Sequence, residues 1–176
     1  LGNTLRDLDK LKEAELSLRR AIELNPHYAK AHLNLGNILR DLGKLQDAEL
    51  SYRKATEIKS DFAVAHYNLG NVLKDLCKLK EAELSYCKAI ELKPDYAEAY
   101  SNLGVLLKDL GKLQDAELSL RKAINLKKNY DTALAELGSV FMRQGKHKQG
   151  IQKLREGNGY IIFDYCPTQA TISFFS

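Results

Sequence analysis

One short pattern repeats along this chain at a fixed step. The stretch from Ala31 to Ala55, "AHLNLGNILRDLGKLQDAELSYRKA", returns in nearly the same letters at Ala65 and again at Ala99. The dipeptide Leu-Gly stands at positions 1, 35, 69, 103 and 137, so the step is constant and no insertion interrupts it. A unit this small cannot bury an apolar face alone, so successive units must stack on one another. The period therefore predicts an array of stacked repeats.

Each repeat has the pattern of two helices. Between residues 29 and 42 apolar side chains recur at three- and four-residue steps, which places them on one helical face. Gly43 can adopt positive φ and end this first helix, and a second helix is expected from Leu45 to Ile58. Pro26 and Pro94 follow the second helices of the first and third repeats, because proline cannot continue a helix.

Small residues recur where the two helices of a repeat should cross. Gly36 and Ala48 are expected at the crossing, where a larger side chain would force the helices apart. Tyr52 is expected to fill the remaining space, and Ala55 to contact the first helix of the next repeat. These four positions predict the core of the array.

These glycine, alanine, aromatic and proline offsets resemble the tetratricopeptide repeat (TPR) family over residues 1 to about 157. The resemblance implies an all-α fold, a right-handed superhelical solenoid of helix-turn-helix repeats whose first helices line a concave groove. The expected TPR array covers residues 1–157, and an apolar, β-prone tail covers 158–176. Within the array we expect a partial repeat at 1–28, full repeats at 29–62, 63–96 and 97–130, and a degenerate repeat at 131–157. Gly150 and Gly157 replace alanines in that last repeat, so its second helix is expected to be short and to end near Glu156.

The tail, from Gly157 to Ser176, changes character. Its β-branched and aromatic residues, interrupted by Pro167, are typical of a hairpin or extended segment. One interpretation folds the tail back onto the last helices, since apolar residues seek burial. The alternatives are a homodimer made through the β-prone edge or through the repeat ends, and disorder.

Asparagine recurs just before Leu-Gly on the predicted first helices. Asn34, Asn68 and Asn102 stand one repeat apart, and Asn37 and Asn71 lie three residues further along the first two of these helices, on the same face. An amide carries a donor and an acceptor, which match the C=O and N–H groups of an extended peptide. Together these five residues form what we call the asparagine ladder. The alternative is that each amide simply bonds to a neighbouring backbone carbonyl, since most buried polar groups find some partner.

Basic–acidic pairs follow the ladder on the same helices. We count them with the ladder as candidate groove residues, although such pairs more often form a solvated face. The candidate pairs are Arg40 and Asp41, Lys74 and Asp75, and Lys108 and Asp109.

Three of these residues, Asn34, Asn68 and Asn102, are similar to the asparagine ladder in the repeat array of O-linked N-acetylglucosamine transferase. That resemblance implies that Asn34, Asn68 and Asn102 hold extended polypeptide. Chaperone-binding members of the family instead use a Lys/Arg clamp for a C-terminal carboxylate. The opening positions here, Lys30 and Val64 among them, do not supply that clamp.

Several function classes find no support in the composition. Seven Lys/Arg and three Asp/Glu between residues 127 and 156 account for the net charge of +4, so no nucleic-acid partner is expected. No apolar run is long enough to span a membrane. Three cysteines without CxxC spacing favour a reducing, cytoplasmic setting. His32 and His66 are better explained by packing than as metal ligands, and no catalytic motif appears, so we predict neither cofactor nor enzyme activity.

The leading hypothesis is a protein–protein interaction scaffold that binds an extended peptide or a partner segment in its groove. A second hypothesis makes the chain the substrate-recruitment arm of a larger group-transferase whose catalytic domain is absent here. A third is a self-assembling oligomerisation module.

Overall fold

Stacked helix pairs make up most of the chain. The computed structural model describes residues 2–158, 162–166 and 169–173, and describes side chains for residues 9–157. In this part of the chain, nine α-helices precede a two-stranded sheet. The helices are α1 Gly2–Leu24, α2 Ala29–Asp41, α3 Leu45–Ile58, α4 Ala63–Asp75, α5 Leu79–Leu92, α6 Ala97–Asp109, α7 Leu113–Leu126, α8 Asp131–Arg143 and α9 His147–Asn158. The all-α helix-turn-helix prediction is confirmed.

The helices divide into two compact units, unit 1 at Leu1–Pro94 and unit 2 at Asp95–Ser176. In unit 1, α2 packs on α3 and α4 packs on α5 as antiparallel pairs, with α1 against α2. Unit 2 repeats the arrangement with α6 on α7 and α8 on α9. The predicted second helix from Leu45 to Ile58 has those bounds, and the predicted first helix ends one residue early, at Asp41.

Tight turns join the helices of each pair. Gly43 has φ +74°, Gly111 +75° and Gly145 +76°, so all three use the left-handed conformation that glycine adopts without strain. Cys77 occupies the same position with φ +59°, a conformation that is sterically unfavourable for a residue with a side chain. The turn is therefore specified by the packed helices as well as by the glycine.

The predicted close crossing in unit 1 is confirmed. A Cβ atom added to Gly36 would lie 2.6 Å from Cε1 of Tyr52, a ring that has no exposed surface. Ala48 and Ala55 are fully buried beside it. Only glycine fits at this crossing, because a large rigid side chain occupies the other side.

Two glycines of the last repeat have a packing role that the sequence did not indicate. Gly150 and Gly157 are sites of close approach: a Cβ atom would lie 2.7 Å from Sδ of Met142 at Gly150 and 2.6 Å from N of Ala135 at Gly157. They allow α8 and α9 to cross closely. The last helix has 12 residues against 14 in α7 and ends at Asn158, two residues beyond Glu156, so the prediction of a short final helix is confirmed.

The first repeat lacks the turn that its successors have. α1 is one continuous helix of 23 residues that passes through Asp9, the position equivalent to Gly43. A non-glycine residue there must pay for positive φ.

In the tail, β1 Ile162–Cys166 pairs with β2 Gln169–Ser173 in antiparallel fashion. The register places Phe163 opposite Ile172 and Asp164 opposite Thr171. Residues 159–161, 167–168 and 174–176 lie outside the described chain. Whether the tail folds onto the helices or joins a second copy stays a prediction.

Candidate functional site

The amide of Asn37 is the centre of a hydrogen-bond network in unit 1. The Tyr52 hydroxyl donates to Oδ1 of Asn37 at 2.8 Å, and Nδ2 of Asn68 donates to the same oxygen at 2.9 Å. Only the oxygen of an amide can accept from two donors, so these contacts also set the orientation of the Asn37 side chain. The network joins the second helix α3 to the first helices α2 and α4 of two successive repeats.

Half of each amide remains outside this network. In the part of the chain whose side chains are described, no partner reaches Nδ2 of Asn37 or Oδ1 of Asn68. Asn37 is half-buried and Asn68 retains 8% of its exposure. A donor and an acceptor are thus left beside each other on neighbouring helices.

The other ladder residues occupy equivalent places. Asn71 is half-buried and its Oδ1 accepts from the Tyr86 hydroxyl at 2.8 Å. Asn34 is half-buried on α2, and Asn102 is half-buried on α6 in unit 2. Asn37, Asn68 and Asn71 therefore bond inside the array, but the partners are side chains and not the backbone carbonyls of the alternative interpretation.

Burial also changes the chemistry of the tyrosine. Burial raises the pKa of Tyr52 to about 12, with the nearby Asp41 carboxylate acting in the same direction and Arg40 opposing it. The hydroxyl therefore keeps its proton at neutral pH and remains a donor to Asn37.

The predicted basic–acidic pairs behave differently from one another. Nη2 of Arg40 lies 3.3 Å from Oδ1 of Asp41, and Nζ of Lys108 lies 4.0 Å from Oδ1 of Asp109. Within the described side chains no ion pair joins Lys74 to Asp75. Lys108 has a closer partner in Glu136 on α8, the residue at the ladder position of the fifth repeat.

The two recurring histidines hold loops. Nε2 of His32 lies 2.9 Å from the carbonyl oxygen of Pro26, and Nε2 of His66 lies 3.1 Å from that of Ser60. Each ring thus ties a first helix to the loop that precedes it. Among the residues whose placement is described, no cluster of three His, Cys, Asp or Glu could hold a metal ion.

Family models match most of the sequence. The model described as the TPR repeat matches residues 2–39, 36–76 and 78–111, and the tetratricopeptide repeat model matches residues 97–130. This chain is a tetratricopeptide repeat protein. No curated protein matches the sequence significantly.

Solved TPR structures share the fold. The crystal structure of MamA superposes with a TM-score of 0.81 at 23% identity, covering 89% of this chain and 92% of that chain. A second neighbour is YrrB, titled a TPR protein with an unusual peptide-binding site, with a TM-score of 0.75 at 22% identity, covering 89% of this chain and 81% of that chain. PilF of Pseudomonas aeruginosa has a TM-score of 0.77 at 24% identity, covering 91% of this chain and 73% of that chain. At these identities the likeness establishes the TPR solenoid fold. The match to the TPR family models supports a role in protein–protein interaction in general.

A second periodic feature of this TPR protein was missed by the sequence reasoning. Three glutamates, Glu15 on α1, Glu49 on α3 and Glu117 on α7, are largely buried, and each accepts hydrogen bonds from two cations. We call these three residues the carboxylate row. One cation is an arginine one helical turn later in the same helix, and the other is a lysine at the start of the next second helix. The lysine contacts are Lys44 to Glu15 at 2.8 Å, Lys78 to Glu49 at 2.7 Å and Lys146 to Glu117 at 3.1 Å.

These contacts keep the carboxylate row ionised. The hydrogen bond from Lys44, followed by that from Arg19, holds the pKa of Glu15 below its usual value. For Glu49 burial acts to raise the pKa, but the hydrogen bonds from Lys78 and Arg53 outweigh it and the net pKa is lowered. The pKa of Glu117 is lowered in the same way. The signal was present in the sequence, since both Glu and Lys recur at the same step as the Leu-Gly dipeptide.

No helix in the described part of this TPR protein combines the length and the apolar character needed to cross a bilayer.

Proposed function

We propose that unit 1 of this chain binds an extended peptide along α2 and α4, with the asparagine ladder holding its backbone. The supporting observation is that one atom of each amide is bonded within the array and the other is not. Oδ1 of Asn37 and Nδ2 of Asn68 are used inside the array, while Nδ2 of Asn37 and Oδ1 of Asn68 have no partner among the described side chains.

That pair of groups suits a peptide unit. The Asn37 N–H would donate to a peptide carbonyl, and the Asn68 oxygen would accept from a peptide N–H. Because both contacts involve the main chain, the groove would accept many sequences. The fold neighbour YrrB is described as having a peptide-binding site, which favours peptide as the ligand class.

Pre-organisation gives this proposal its energetic basis. The Tyr52 hydroxyl and the neighbouring amide already hold Asn37 in place, so little side-chain entropy remains to be lost on binding. In unit 2 the predicted groove residues Asn102, Lys108 and Asp109 all lie on α6, and they remain candidates for peptide contact there.

An isosteric substitution tests the ladder. Asn37→Asp keeps the oxygen that accepts from Tyr52 and Asn68 but replaces the outward N–H donor by an acceptor. Peptides would be selected from a random dodecamer library, displayed with free C termini, on the wild-type chain. Their affinities would then be measured by fluorescence anisotropy.

We expect Asn37→Asp to weaken binding at least fivefold, which corresponds to the loss of about one hydrogen bond. Asn125→Asp on the exposed surface of α7 makes the same chemical change elsewhere and should leave affinity unchanged. A library that yields no binder, or binders indifferent to Asn37→Asp while the thermal melt is unchanged, would overturn the proposal.

A further inference from the structure

Unit 2 contains an internal example of a carboxylate bound at a ladder position. Glu136 occupies the place of the ladder asparagine on α8, and its carboxylate pairs with Lys108 on α6, the first helix of the preceding repeat. The Lys108 side chain retains 12% of its exposure and that of Glu136 28%, so the pair is well shielded from water. Arg143 donates to the backbone carbonyl of Lys108 at 2.9 Å and ties α8 to the same spot.

Unit 1 has the cation of this arrangement without the carboxylate. Arg40 is the equivalent of Lys108, and Asn68, on the first helix of the following repeat, is the equivalent of Glu136. The ion pair of Arg40 with its sequence neighbour Asp41 is 3.3 Å long, beyond the usual range for a charge-assisted hydrogen bond. A guanidinium carries five N–H donors, so most of the binding capacity of this half-buried side chain remains.

A second donor faces the same position. Asn37 precedes Arg40 by three residues, so the two side chains share one face of α2. Nδ2 of Asn37 has no partner among the described side chains. A planar guanidinium and an amide N–H together match the two oxygens of a carboxylate.

We propose that Arg40, assisted by Asn37, binds a carboxylate of the peptide, the kind of group that Glu136 supplies to Lys108 from within the chain in unit 2. This inference rests on the proposed function and narrows it, because it makes the ligand of unit 1 an acidic peptide. The amide nitrogen of Asn37 carries two N–H donors, so one can bind a peptide carbonyl while the other assists Arg40. The backbone contacts of the ladder are indifferent to sequence, and Arg40 contributes the selective contact. Unit 2 needs no such ligand at Lys108, since Glu136 already neutralises that cation.

A double-mutant cycle on the selected peptides tests the assignment. We expect the selected peptides to share one Asp or Glu that binding requires. With the wild-type chain, replacing that residue by Asn or Gln should raise Kd about tenfold, as expected for a charge-assisted hydrogen bond. In Arg40→Gln the same peptide change should have little effect. In Arg40→Glu, selection should instead favour Lys or Arg at that peptide position.

Lys88→Gln removes the same charge from a partly exposed residue of the second helix α5 and serves as the matched control. It should leave the tenfold effect intact. Because Arg40 is partly exposed, its variants are expected to fold, which thermal melts would verify.

Amidated peptides distinguish the two sources of a carboxylate. If C-terminal amidation leaves affinity unchanged, the bound group is an acidic side chain; if it abolishes the Arg40-dependent part, the bound group is the peptide terminus. The first result supports the assignment of an acidic peptide, and the second overturns it. Peptides that depend on Asn37 but ignore both their own carboxylates and Arg40→Gln would overturn this inference alone. A library without Asn37-dependent binders would overturn the proposed function and this inference with it.

Discussion

Units 1 and 2 solve the same packing problem with different chemistry. The glycine of the first helix packs against Tyr52 in unit 1 and against Leu120 in unit 2. A Cβ atom would lie 2.6 Å from Tyr52 if added to Gly36, and 2.6 Å from Leu120 if added to Gly104. Tyr52 brings a hydroxyl that needs an acceptor, which Asn37 supplies. Leu120 brings none, and the residue equivalent to Asn37 is Val105.

The change propagates to the next repeat. In unit 1 the ladder residue Asn68 donates to Asn37, but in unit 2 valine offers no acceptor and the ladder residue is Glu136, paired with Lys108. Three positions thus differ together, which is expected when every buried polar group must have a partner. The comparison teaches that near-identical repeats exchange whole polar networks rather than single residues.

The largest test of this comparison removes the central side chain in each unit. Tyr52→Ala should destabilise unit 1 by about 3–5 kcal/mol and Leu120→Ala should destabilise unit 2 by about 2–5 kcal/mol, because both side chains are fully buried. Denaturant melts would measure both. Leu50→Ala, at a residue 66% exposed, is the control; a loss below about 1 kcal/mol for Tyr52→Ala would contradict the core assignment.

The inter-repeat contacts give a smaller and more selective test. Asn68→Ala should cost about 1 kcal/mol, the net value of one hydrogen bond, at any salt concentration. Glu136→Ala should cost about 1 kcal/mol at low salt and less at high salt, since an ion pair is partly screened. Equal salt dependence of the two variants would show that the networks do not differ as described.

The carboxylate row should make the two units respond alike to acid. Since the pKa values of Glu49 and Glu117 are lowered from 4.5 in the folded state, each contributes stability that is complete above about pH 4.5. That contribution is lost as the pH falls through the folded pKa, because the folded state then has to take up protons it disfavours. The free energy of unfolding falls as the pH is lowered below about 4.5, and we call this part of the stability–pH curve the acid limb. Glu49→Gln and Glu117→Gln should each reduce that fall by less than about 1 kcal/mol.

Glu57→Gln, which alters a carboxylate whose side chain is 64% exposed, should leave the acid limb as it is in the wild-type chain. An acid limb unchanged in either row variant would contradict the role assigned to that residue.

The sequence predicted the features that depend on spacing alone. The constant repeat step was enough for the helix pairs, for the bounds of α3 and for the burial of Tyr52. It was not enough for α1, which continues as a helix through Asp9, where the later repeats have a turn. Likewise Gly150 and Gly157 looked like decay until the close crossing of α8 and α9 gave them a reason.

Polar side chains were harder to predict for a physical reason. Recurrence marks Asn37 and Asn68 as related, but whether an amide turns inward depends on a second polar atom within about 3 Å, which spacing does not reveal. The carboxylate row was missed because each carboxylate and its lysine partner, for example Glu49 and Lys78, belong to different repeats. Such pairs lie almost a whole repeat apart in sequence and become neighbours only when the repeats are stacked.

That separation has a consequence for how the array comes apart. In a quasi-one-dimensional protein, stability divides into the free energy of each repeat and the coupling between neighbours. The Lys44–Glu15, Lys78–Glu49 and Lys146–Glu117 contacts belong wholly to the coupling. The same three carboxylates also pair with arginines of their own helices. Acid should therefore lower the cooperativity between repeats together with the stability of each repeat, rather than the stability of each repeat alone.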